Sequence, residues 1–133
     1  MTNPAVILTE CHEYKTETIA ACIEKQFALQ GGLDKFVRPG DKVLLKPNLI
    51  APKPRSNATQ TDPMIILETA KLLKDYGAKP FVGDSPAWSN VFECIRVLEL
   101  EESLKKLSIP VKQLDKRKTY QIGARKNMNV AKL

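Results

Sequence analysis

The 133-residue sequence predicts an α/β protein built on a mostly parallel sheet. Three observations predict it. Short β-prone apolar runs alternate with longer stretches of helical periodicity. Glycine, proline and aspartate punctuate the junctions between them. Apolar residues make up 43% of the chain, enough for the core of one domain, yet no apolar run exceeds five residues. A span across a bilayer needs about 20 apolar residues.

The elements follow in order. Ala5-Val6-Ile7-Leu8-Thr9 reads as a buried strand. A helix is expected from about Lys15 to Gln30, with Ile19, Ile23 and Phe27 on one face. Thr16 is its expected N-cap, and Gly31-Gly32 its stop. After the Pro39-Gly40-Asp41 turn, Lys42-Val43-Leu44-Leu45-Lys46 is the second strand. A long polar loop with three prolines runs from Pro47 to Gln60, and loops of that length are often functional. Asp62 at the N-cap and Pro63 at the first position open the second helix, and Gly77 closes it. Lys79-Pro80-Phe81-Val82-Gly83 is the third strand. A helical region follows from about Ser89 to Leu107, with a break near Glu99–Leu100. Val111-Lys112-Gln113-Leu114 is a fourth strand. Residues 116–133 are polar and weakly patterned, with Thr119-Tyr120-Gln121-Ile122 as a candidate short strand. The order β-α-β-α-β-α-β implies a Rossmann-like three-layer arrangement. Residues 1–115 are expected to be the N-terminal part of one domain, and 116–133 a basic continuation of it.

The formal charge of +6 is unevenly spread. Residues 105–133 hold nine Lys or Arg and one acid, Asp115, so the rest of the chain is net −2. The basic segment admits nucleic-acid binding through phosphate contacts. No aromatic stacking pattern accompanies it, and a solvated surface is the plainer reading. The cysteines at 11, 22 and 94 fit no metal or redox motif and read as free thiols. Cys11 neighbours His12, but adjacent residues on an extended chain face opposite ways. The N-terminus lacks the marks of a signal peptide, so the expected location is the cytoplasm.

Candidate chemistry gathers at the carboxyl ends of the strands, where open α/β sheets bind ligands. Lys46 and Asn48 leave the second strand. Thr59, Thr61 and Asp62 sit at the start of the second helix. Asp84 and Ser85 leave the third strand. A helix N-terminus and a lysine favour phosphate or carboxylate. Asn48, Thr61 and Ser85 add neutral hydrogen bonds. Asp84 can orient a hydroxyl, act as a base, or hold a hard metal weakly through water. Each also has a plainer use. Thr61 and Asp62 can simply cap a helix, Asp84-Ser85-Pro86 can be a turn or the cap of the next helix, and Lys46 can lie along a strand end. No G-x-G-x-x-G loop is present, which argues against an ordinary dinucleotide site.

Cys11-His12-Glu13-Tyr14, Gly31-Gly32-Leu33 and the run from Val37 to Leu49 (Val-Arg-Pro-Gly-Asp-Lys-Val-Leu-Leu-Lys-Pro-Asn-Leu) resemble the domain of unknown function 362 family. Thr59-Gln60-Thr61-Asp62-Pro63 and Gly83-Asp84-Ser85-Pro86 match later blocks of the same family. The resemblance spans about Val6 to Asp115. It implies a cytoplasmic α/β domain, in some members followed by a ferredoxin-like iron–sulfur segment. No activity is established for the family as a whole. The later lysine–histidine block and the cysteine run of the family are not matched in this sequence. The chain is therefore expected to be truncated within the domain, and no iron–sulfur ligand is carried over. Glu99 and Ser108 stand where the resemblance implies glycines. Three readings follow: binding of a small anionic metabolite or cofactor at the sheet edge, a non-catalytic module beside a ferredoxin-like partner, or nucleic-acid binding through the basic segment.

Overall fold

The computed structural model describes residues 6–122 and 126–131. Helix α1 spans Thr16–Leu29, strand β1 Lys42–Leu45, helix α2 Pro63–Asp75, and strand β2 Lys79–Asp84. Helices α3 (Val91–Val97) and α4 (Glu101–Lys106) follow, then strand β3 (Val111–Gln113). Strands β4 (Arg117–Ile122) and β5 (Lys126–Ala131) form a separate antiparallel pair. The main sheet has the order β1-β2-β3, parallel throughout. The α/β class and the parallel sheet are as the sequence predicts.

The sheet grows in one direction, and that decides where its helices lie. Right-handed crossovers that always step the same way put every crossover helix on the same face. The core shows this. Ile66 and Ala70 of α2, Val91, Cys94 and Ile95 of α3, and Leu104 of α4 share one buried cluster with Val82 of β2. Val43, Leu45 and Val111 lie on that face by register. Helix α1 packs on α2. The other face carries Leu44, Phe81 and Gly83, with the Lys112 ammonium 4.5 Å from the Phe81 ring centre. Among the described residues, this placement gives an α/β fold without establishing a three-layer sandwich.

Two local expectations fail. Val6–Thr9 form no strand, and Ala5 lies outside the described residues. Val6 and Leu8 are 87% and 89% exposed. An apolar run becomes a strand only when a ladder partner takes its backbone groups. Here the segment lies along α1 instead: Gln26 Nε2 donates to Thr9 Oγ1 at 2.9 Å, and the Cys22 thiol donates to the Glu10 carbonyl at 3.3 Å. Thr16 is the first helical residue and not the N-cap; Lys15 holds that position without a side-chain cap. In the polar C-terminal stretch the expected short strand is present and longer than expected. Thr119–Ile122 is part of a six-residue strand paired with Lys126–Ala131.

Four helices end with one device. After α1, α2, α3 and α4 the chain closes paired backbone hydrogen bonds: Gly31 to Ala28 and Gly32 to Phe27, Gly77 to Lys74 and Ala78 to Leu73, Glu99 to Arg96 and Leu100 to Ile95, Ser108 to Lys105 and Ile109 to Leu104. Such an ending needs one left-handed residue. Glycine fills it after α1 and α2, with φ of 96° and 94°. Glu99 and Ser108 fill it after α3 and α4, with φ of 58° and 53°. A side chain there costs about 1 kcal/mol. Glu99→Gly and Ser108→Gly are each expected to raise stability by about 0.5–1 kcal/mol, read from urea midpoints. A loss of stability from both would contradict the strain argument.

Candidate functional site

Strand β1 ends in a strained exit. Pro47 and Leu49 are buried, and between them Asn48 takes a φ of 54°, which asparagine tolerates better than most residues. Three segments distant in sequence fasten this exit. The Thr61 hydroxyl donates to the Pro47 carbonyl at 2.6 Å. Lys46 Nζ donates to Asn48 Oδ1 at 2.7 Å and lies 3.2 Å from Asp84 Oδ1. The Leu49 N–H donates to Asp84 Oδ2, and the Ser85 N–H donates to Asp84 Oδ1 at 2.8 Å.

Asp84 is 3% exposed, the last residue of β2 and one step beyond Val82 on the helix-bearing face. Its carboxylate takes two backbone N–H groups and one ammonium, so both oxygens are engaged. That makes it a clamp between the ends of β1 and β2. Three donors fill three of the roughly four lone-pair sites of a carboxylate. Among the described residues no group of three or more His, Cys, Asp or Glu gathers as a metal site. Asp84-Ser85 does not cap the next helix. Asn90 does, accepting from the Glu93 N–H at 3.0 Å.

Asp62 caps α2 as the sequence predicts. Its Oδ1 accepts from the Met64 N–H at 2.9 Å, with Pro63 at the first helical position. Its other oxygen meets Arg55 Nε at 2.7 Å. Arg55 in turn lies 5.6 Å from the centre of the Tyr14 ring. Tyr14, Arg55, Gln60, Thr61, Asp62 and Ile65 help wall an open hollow of about 770 Å³. A smaller hollow of about 160 Å³, lined in part by Lys46 and Pro47, shares Thr61 and Ile65 with it. Gln60 Nε2 donates to the Lys53 carbonyl at 2.7 Å, and its buried Oε1 has no partner among the described residues.

The structure therefore brings Lys46, Asn48, Thr61, Asp62, Asp84 and Ser85 to one edge, with Ser85 contributing its backbone N–H. Thr59 is exposed and makes none of these hydrogen bonds. Sequence reasoning did not pick out Tyr14, Arg55 or Gln60. Tyr14 and Gln60 stand within blocks of the family resemblance, and Arg55 is the single arginine in the loop before the Asp62 cap. Electrostatically the edge is balanced: Lys46 stands against Asp84 and Arg55 against Asp62. At the opposite end of the strands, Lys42, Lys74, Lys79 and Lys112 help line a hollow of about 350 Å³ whose walls include no acid. Cys11 and His12 take separate partners, the Glu13 carbonyl and the Glu10 carboxylate.

A parallel sheet with helices packed on it, its polar residues meeting at the carboxyl edge, defines an α/β domain. The family model described as Domain of unknown function (DUF362) matches residues 43–133, and the chain belongs to that family. All seven candidate residues lie inside the match, while the Cys11–Tyr14 and Gly31–Leu33 blocks precede it. The chain is also 36% identical over 86 residues to the thylakoid-associated protein sll1697 of Synechocystis sp. (strain ATCC 27184 / PCC 6803 / Kazusa). That alignment covers 65% of this chain and 27% of the relative, so the chain spans about a quarter of that protein. No solved structure matches. No helix among the described residues is long and apolar enough to cross a membrane.

Proposed function

We propose that this part of the domain binds a small anionic metabolite or cofactor at the carboxyl edge of the sheet. One observation carries the reading. Lys46 has three N–H groups, and Asn48 and Asp84 engage two of them. The ammonium stays half exposed beside the smaller hollow, so its third N–H points a preset donor at whatever enters. The N-terminus of α2 lies on the same wall and favours negative charge. Gln60 Oε1, buried without a donor, suits a hydroxyl or amino group on the same ligand. The ligand class is then a small molecule with an anionic end and a polar body.

A charge-assisted hydrogen bond is worth about 1.5–3 kcal/mol. Lys46→Ala is therefore expected to weaken binding of an anionic probe at least about tenfold. Thermal shift with inorganic phosphate, pyrophosphate and small dicarboxylates reads it. The reading fails if no probe raises the melting point, or if Lys46→Ala responds as the parent does.

A further inference from the structure

The Cys11 and Cys22 thiols both bond to the segment that leads into α1. The Cys22 thiol donates to the Glu10 carbonyl at 3.3 Å, and the Cys11 thiol donates to the Glu13 carbonyl at 3.3 Å. Both thiols thus bond to the short stretch from Glu10 to Glu13. The Glu10 oxygen is about 3 Å from the Cys11 Cα by covalent geometry, which puts the Cys22 sulfur within about 6 Å of that atom. The Cys11 side chain lies near enough to Cys22 to act on its thiol. A disulfide asks for Cα atoms about 4.4–6.8 Å apart, which this bound permits. The two positions differ in access. Cys11 is exposed and Cys22 half buried, while Cys94 is fully buried in the core.

We propose that Cys11 and Cys22 form a reversible disulfide when the protein meets a low-molecular-weight disulfide such as oxidised glutathione. The Cys11 thiolate attacks one sulfur of the reagent. The Cys11–reagent S–S bond forms as the reagent's own S–S bond breaks, and one thiolate leaves. Cys22 gives its proton to solvent and attacks the Cys11 sulfur, and the second thiolate leaves. The two protein thiols lose two electrons and two protons in all, and the reagent becomes two thiols. Partial burial, together with the nearby Cys11 side chain, pushes the Cys22 thiol up. Cys22 therefore suits the resolving role and Cys11 the role of first nucleophile.

The bond has a structural target. The segment before α1 is held by the Gln26–Thr9 and Cys22–Glu10 hydrogen bonds. A covalent tie at residue 11 fixes it to the middle of α1. Tyr14, three residues on, touches the guanidinium that pairs with Asp62. Oxidation thus constrains one wall of the large hollow, whatever that hollow binds.

Treatment of the dilute native chain with oxidised glutathione, followed by alkylation and trypsin, tests this. Cleavage at Lys15 separates the two cysteines. The expected product is peptide 1–15 joined to peptide 16–25, at their summed mass less two hydrogens, with Cys94 still alkylated. Cys11→Ser and Cys22→Ser must each abolish it. Closure of the second step is expected to be at least about tenfold faster in the native chain than in urea, because folding raises the effective concentration of one thiol at the other. The inference is overturned if Cys11 stays capped by glutathione while Cys22 alkylates. It is equally overturned if the link runs between molecules, if neither thiol reacts, or if native and unfolded chains close at the same rate.

Discussion

Replacing Asp84 by alanine is expected to cost about 3 kcal/mol of folding stability, the largest effect of any single change at the sheet edge. The carboxylate is 3% exposed and accepts from the Leu49 and Ser85 N–H groups. Alanine leaves both donors without an acceptor, and Leu49 itself is only 2% exposed. Lys46 loses its counter-charge as well, but it reaches solvent and contributes less of the total. Asp84→Asn separates shape from charge. Its amide keeps one acceptor oxygen and turns an NH₂ toward a donor, so it is expected to recover less than half of the loss. Urea unfolding followed by circular dichroism measures both variants. If Asp84→Asn is as stable as the parent, the clamp works by shape alone and the account of Lys46 as a charge-anchored donor is wrong.

The second large effect is expected at Leu104. Helix α4 is six residues long, too short to stand on propensity alone, and Leu104 is its one buried residue. The side chain is 1% exposed and packs within the cluster that contains Val82, Cys94 and Ile95. Leu104→Ala is expected to destabilise by about 2–5 kcal/mol through lost burial and the cavity left behind. Leu104→Met, which keeps most of the volume, is expected to cost less than about 1.5 kcal/mol. Equal losses for the two would show that the site depends on leucine's shape and not on filled space. Hydrogen exchange should also show faster exchange in residues 101–109 in the alanine variant than elsewhere in the sheet.

Much of this architecture was legible in the residues. Asp62-Pro63 marked the start of α2 because capping and a missing N–H are local chemistry, readable without the rest of the chain. The break between α3 and α4 near Glu99–Leu100 was legible as well. The resemblance implied glycines at 99 and 108, and both residues do take the left-handed backbone that glycine serves best. The convergence of Lys46, Thr61 and Asp84 followed from strand order alone. What each residue does there was not legible. A carboxylate that binds a ligand and one that clamps two strand ends have the same letter, and only the positions of the Leu49 and Ser85 N–H groups separate them. The segment Val6–Thr9 misled for a related reason. Its composition specifies a capacity for pairing, while the pairing itself depends on a neighbour elsewhere in the chain. Arg55 and Tyr14 stayed hidden because their meeting spans 41 positions with no periodicity to announce it.

The one-way order of the sheet has a consequence for how the protein is made. Each described strand of the sheet lies beside the next one in sequence, so no strand waits for a partner synthesised much later. As the chain emerges from the ribosome, β1 and α2 are followed by β2, and each crossover closes on a platform already present. The assembly is cumulative, and its loops close over similar distances. A sheet with its first strand in the middle would have to hold that strand's apolar faces unprotected until both neighbours arrived.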